Sequence, residues 1–203
     1  MKAITPERRT ELLANSMQDV GFGFILGLFC LGMPVVSLAL GGYLAMGLIG
    51  CAAVVEPLAK RWLWVASVCA VAAGALMTVR LFVDVVVSGW VAACLGVGVF
   101  AAAHGFACVA AWFGGVQRWQ RARGAAVAWL CSISLIVGLG LGQRSPQMSR
   151  WSVRMPGGVV ASVASAVALA ALLYISMAFA DLRSRVKAAI AQQAAATSEA
   201  VRG

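Results

Sequence analysis

Charge is what this sequence has least of. Only 11% of its 203 residues are Asp, Glu, Lys or Arg, against about a quarter in a soluble domain. With 62% hydrophobic residues and a mean hydropathy of +0.91, the chain has too little polar surface to cover a globule in water. An ordinary soluble enzyme or binding domain is excluded. Acids are scarcer still, seven against sixteen Lys and Arg. The net charge of +9 is not a nucleic-acid footprint. The cations fall in short clusters between long uncharged stretches, which is the pattern of membrane topology signals.

Reactive side chains are also few. His104 is the single histidine, and it falls within an apolar stretch. An ionisable residue in a membrane helix is a functional suspect by default, and Cys108, four residues on, shares its helix face. A zinc site wants three or four ligands, and a two-histidine haem needs a second histidine, so no metal and no cofactor is expected. The plainer reading is a neutral imidazole bonded to a neighbouring helix, with a proton-linked role as the alternative. The six cysteines (Cys30, Cys51, Cys69, Cys94, Cys108 and Cys131) all lie in apolar stretches, and none forms a CxxC pair. They read as small apolar packing residues rather than a disulfide framework. No acid–base constellation or nucleophile elbow is present, so the chain is not expected to be an enzyme.

What the sequence does have is long apolar runs. Residues 1–18 are polar, and Thr5-Pro6-Glu7 is a good helix start. A short amphipathic segment at the membrane surface is expected there. A cleaved signal peptide fits poorly, because Glu7, Glu11 and Asp19 interrupt the leader and the apolar run that follows exceeds a usual h-region. From Val20 to Val55 there is no charge over 36 residues. As one helix this run would measure roughly 54 Å, against a hydrocarbon core of about 30 Å. Two spans are therefore expected, with a reversal at Gly41-Gly42. Further spans are expected over 63–79, 86–113, 124–141 and 159–180, with Trp62, Trp64, Trp90 and Trp112 at headgroup depth.

The predicted fold class is thus all-α, a polytopic membrane helix bundle of six spans. The N-terminal segment covers 1–18, the bundle 19–187 and a helical tail 188–203. With the N-terminus in the cytoplasm, twelve of the sixteen cations fall inside, from Lys2 to Arg202. Four, namely Arg80, Arg144, Arg150 and Arg154, fall outside. That satisfies the positive-inside rule. The arginines of the 143–156 loop lie on the disfavoured side, so a five-span arrangement stays open.

Basic clusters at 60–61, 118–123 and 183–187 recur about every sixty residues. They divide the bundle into hairpins of about 19–61, 62–123 and 124–187, a repeat of a two-helix unit. The stretches GFILGLFCLGMPVVSLALGGYLAMGLIG, AGALMTVRLFVDVVVSGWVAACLGVGVF, LIVGLGLG and GGVVASVASAVALAALLYISMAFADLR resemble the HdeD family of small bacterial inner-membrane proteins. Pro34 matches the family's proline near the turn in the first unit. The second unit lacks one, and the third has a longer arginine-rich loop. The resemblance covers residues 18–187. It implies six spans in three hairpins and an association with acid-stress resistance, and it supplies no catalytic residues.

Small residues mark where helices are expected to touch: Gly23 and Gly27, Gly138 and Gly142, and Ala161 and Ser165. Arg80 and Asp84, four apart, are expected to pair at an outer turn, with proton sensing by Asp84 as the alternative. Three functional classes follow. The first is a non-catalytic protein of envelope or acid-stress tolerance. The second is a structural subunit of a larger secretion or respiratory complex. The third is a small transporter or channel, ranked last because few polar groups lie at mid-depth. The expected partners are the lipid bilayer and, for a scaffold, further copies or membrane-complex subunits, with no nucleic acid.

Overall fold

The computed structural model describes residues 6–30, 34–79, 86–142 and 157–202, with side chains placed over 8–24, 26, 36–78, 89–138 and 159–198. Among these residues the protein is all-helical. The six helices are α1 (Pro6–Cys30), α2 (Pro34–Val54), α3 (Pro57–Val79), α4 (Val86–Phe113), α5 (Val116–Gly142) and α6 (Gly157–Arg202). Pro6, Pro34 and Pro57 each occupy the first position of a helix, where the missing N–H costs nothing and the fixed φ suits the first turn. Glu56 accepts the Lys60 N–H at 2.8 Å just before α3. Gly114 and Gly115, at φ 80° and 94°, reverse the chain between α4 and α5, a backbone region that side chains with a Cβ avoid.

The expected reversal at Gly41-Gly42 is corrected: both glycines lie inside α2, which begins at Pro34 after α1 ends at Cys30. Polar residues from Pro6 onward and the first apolar run form one continuous helix, α1. The third helix starts at Pro57 rather than Leu63. The fifth starts at Val116, which makes the Arg118–Arg123 cluster helical, and α6 continues to Arg202. The expected 86–113 span is α4 itself.

Five of the helices, α2 to α6, contain stretches long and apolar enough to cross a membrane, and the chain is a multi-pass membrane protein. The sixth, α1, has a charged first half, yet it packs antiparallel along α2. Val20 and Ser16 meet Gly47, and Tyr43 and Leu44 meet Gly23. Each helix packs against its successor, and α6 returns to α1 and also touches α4, closing the bundle. Because α2 packs on α3 as extensively as α3 on α4, the three expected hairpins are not separate packing units.

The main core lies at one end. It includes Met17, Cys51, Leu63, Ala101, Phe106, Val109, Trp119, Ala122, Leu182 and Val186. These come from the second halves of α2, α4 and α6 and the first halves of α1, α3 and α5. The same end holds the start of α1 and the second half of α6. Thr10 Oγ1 donates to Gln193 Oε1 at 3.4 Å, and Arg183 Nη2 donates to Gln18 Oε1 at 2.8 Å. A smaller cluster of Trp129, Ala168 and Ala171 joins α5 to α6 nearer the other end.

This up-and-down order makes a direct prediction. Compartment reporters fused after Glu56, after Gly114 and at the C-terminus are expected to report one and the same side of the membrane. Opposite answers at Glu56 and Gly114 would break the antiparallel order.

Candidate functional site

Polar side chains gather at the end that carries the core. On α6, Asp181 is the first charge after the apolar stretch. It accepts from Arg185 Nε, one helical turn on, at 3.0 Å and pairs with Arg118 Nη1 of α5 at 3.0 Å. Arg185 also lies across the Gly114–Gly115 turn, with its Nε 3.4 Å from where a Gly115 Cβ would stand. Between α2 and α1, Tyr43 Oη donates to Asp19 at 2.9 Å. Exposed pairs of this kind contribute about 0–1 kcal/mol each. They fix register more than they stabilise.

His104 sits on α4 in an aromatic frame. Its ring centroid is 4.1 Å from that of Phe100 and 5.1 Å from that of Trp62 on α3. Nδ1 is 3.0 Å from the Phe100 carbonyl oxygen one turn back. On the other side of the ring, Arg123 Nε of α5 donates to Nε2 at 3.0 Å. A carbonyl only accepts and a guanidinium only donates, so the proton is on Nδ1 and Nε2 carries the lone pair. In that tautomer the ring is bonded at once to its own helix and to the neighbouring α5. Arg123 lies nineteen residues away, and nothing in the local sequence announces it. The only hint is that a basic cluster opens the helix that packs beside His104.

Beside this pair is an open cleft of about 380 Å³ between α4 and α5, lined by Phe100, His104, Gln120, Arg123, Gly124 and Val127. Cys108 is half-buried one turn beyond His104. Among the described residues no three His, Cys, Asp or Glu side chains come together as a metal site would require. Cys51, Cys69, Cys94, Cys108 and Cys131 are free thiols, with Cys51 fully buried and Cys131 on the surface. Cys30, the Arg80–Asp84 pair and the 143–156 loop lie outside the described residues and side chains.

The expected packing residues divide. Gly23 is buried against Tyr43 and Leu44, whose nearest atoms stand 3.0 Å from a Cβ built there. Gly27 and Gly142 lie outside the described side chains. Gly138 faces open space, with nothing within 4 Å of such a Cβ. Ser165 is exposed and Ala161 half-exposed. The small buried face of α6 runs through Ala164, Ala168 and Ala171 instead, one register over from the expected pair. The tightest approaches to neighbouring backbone are at other glycines. A Cβ at Gly41 would lie 2.6 Å from the Ala70 carbonyl oxygen, and one at Gly74 would lie 2.7 Å from the Ser37 carbonyl oxygen. There α2 and α3 meet backbone to backbone, as small residues allow in membranes. Gly105 is closed in by Leu63 of α3 and Gly98 by Cys69.

Compared with protein-family models, curated proteins and solved structures, the chain shows no significant match.

The adjacent glycines of α2 provide an internally controlled prediction. Gly41→Ala sets a methyl against backbone that cannot swing away, and is expected to cost about 1–3 kcal/mol. Gly42, with nothing within 4 Å, should tolerate alanine or gain up to about 1 kcal/mol in helix propensity. Thermal unfolding in detergent should separate the two variants; equal midpoints would refute the close α2–α3 approach.

Proposed function

We propose that this chain is a non-catalytic protein of a bacterial inner membrane, seated with its basic end and both termini in the cytoplasm, that serves envelope or acid-stress tolerance. The observation that carries this reading is the Arg123–His104 bond, a tie between α4 and α5 that exists only while the imidazole is neutral. The charged group facing His104 from α5 is Arg123. From α3 the facing group is Trp62, with Lys60 and Arg61 preceding it in the chain, and on α4 itself Cys108 follows one turn on. Among the described residues no carboxylate bonds to the ring. The bond uses Nε2 as a lone-pair acceptor, so the guanidinium and the imidazole tie α4 to α5 directly. The resemblance to HdeD-like proteins points the same way, and the distribution of cations supports the cytoplasmic orientation.

A second reading, a structural subunit of a larger membrane complex, is favoured by α6. This helix has 46 residues, roughly 69 Å at the helical rise. Residues 191–198 are all exposed, with Gln193 in contact with Thr10 of α1. Transport ranks third. The hydroxyls of Ser67, Thr78 and Ser176 bond back to carbonyls of their own helices instead of marking a path.

Two experiments separate the first two readings. A deletion strain should survive acid challenge less well than its parent. Restoring the wild-type chain should recover survival, whereas His104→Gln, whose amide accepts from Arg123 but takes up no proton, should not. Unchanged survival of the deletion strain would defeat the acid reading. For the scaffold reading, gentle extraction should yield a stoichiometric partner that is lost when residues 191–203 are removed. A chain that purifies alone in both forms would count against it.

A further inference from the structure

We propose that the cleft between α4 and α5 holds the phosphate of an anionic phospholipid drawn from the leaflet at the basic end of the bundle. Three features of the site converge on this ligand.

The first is its polarity. α4 and α5 run antiparallel, so moving from His104 back to Phe100 and from Arg123 on to Val127 leads in one direction, away from the basic end. The lining therefore grades from His104, Gln120 and Arg123 at the outer end to Phe100 and Val127 at the inner end. Gly124, where the charge-free stretch of α5 begins, lies between them. A phospholipid has this same polarity, with headgroup outward and chains toward the bilayer centre. A free inorganic anion has no use for the apolar half.

The second is the state of the arginine. Arg118 and Arg185 are committed to Asp181, and Arg183 donates to Gln18. Arg123 spends only its Nε, on a neutral ring. Among the described residues its two Nη groups have no acceptor, and no carboxylate lines the cleft. Those Nη groups present the paired N–H geometry that suits phosphate oxygens, and basic pockets between helices at the cytoplasmic surface suit anionic headgroups. The third is space. Gly124 is exposed, and a Cβ built on it meets nothing within 4 Å, so the cleft has an open floor.

This inference goes beyond the acid-tolerance reading and depends only on the basic end lying at a leaflet. It is tested on the purified full-length chain, so its failure leaves the survival experiment untouched. Native mass spectrometry from mixed micelles would count bound phosphatidylglycerol against phosphatidylcholine for the wild type and three variants. Phosphatidylglycerol should be retained preferentially by the wild type. Arg123→Gln should lower that retention about fivefold, the equivalent of one arginine near an anionic surface. Gly124→Leu fills the open floor without meeting protein atoms at its Cβ, and should lower retention of both lipids. Arg121→Gln, an exposed arginine outside the cleft, should change nothing. Should Arg123→Gln fail to fold, Gly124→Leu still decides. Equal retention by wild type and Gly124→Leu, equal loss with Arg121→Gln, or displacement of the lipid by inorganic phosphate would overturn the proposal.

Discussion

Apolar side chains gain nothing by leaving lipid for a protein interior, so the hydrophobic effect that condenses a soluble core is absent where these helices cross the bilayer. The bundle answers that constraint in two ways. In the membrane half, helices are held by close approach of small residues. Gly41 and Gly74 bring α2 and α3 into backbone contact, and Ala164, Ala168 and Ala171 form the buried face of α6. Large side chains such as Val163, Leu169, Leu173 and Met177 point outward, as lipid permits. At the basic end a dense core of large residues appears, with Met17, Leu63, Trp119, Leu182 and Val186 all but inaccessible.

That layer also sets the geometry of everything polar. It draws the start of α1 and the far half of α6 together on one side. It brings the start of α5 against the end of α4, which puts Arg123 on His104 and Arg118 on Asp181. It carries a cost as well. Trp119 Nε1 and Arg183 Nε are buried without a hydrogen-bond partner, and an unsatisfied buried donor costs on the order of 1–3 kcal/mol. The Trp119 ring packs beside that of Phe106, with centroids 5.8 Å apart.

Much of the architecture was legible because charge and proline are scarce. The cation clusters bounded the apolar runs correctly but not the helices, since 60–61, 118–123 and 183–187 lie inside α3, α5 and α6, and Pro57, which opens α3, was not read as a helix start. The limits of α4 do follow from its flanking charges. Glycine was harder to read. In water, Gly41-Gly42 would signal a turn. In lipid the same pair sits inside α2, because a helix there can use a missing side chain as a contact surface. Which glycines do so depends on helix rotation, and apolar stretches of nearly uniform hydropathy do not encode rotation. That is why Gly138 and Ser165 fell on open faces while Gly74 and Gly105 went unnoticed. The His104–Arg123 bond lay beyond sequence reasoning for a related reason. It depends on how deep α5 sits against α4, which is fixed by packing and not by any local motif.

The uneven charge that sets topology bears equally on the chemistry of the basic end. Among the described residues, Asp181 is the acid that forms ion pairs, and it draws in Arg118 and Arg185. Lys60, Arg61, Arg121 and Arg123 form no ion pair with a carboxylate there. A soluble protein would leave such charges to water and salt. A bundle whose apolar belt begins immediately beside them places them at headgroup depth, where the nearest abundant counter-charge is phosphate. The Arg123 cleft is the place along that ring where an unpaired guanidinium, an open floor and an apolar continuation coincide. A positive end is common to multi-pass proteins, but this conjunction gives one position on the ring the shape to select a lipid rather than merely attract one.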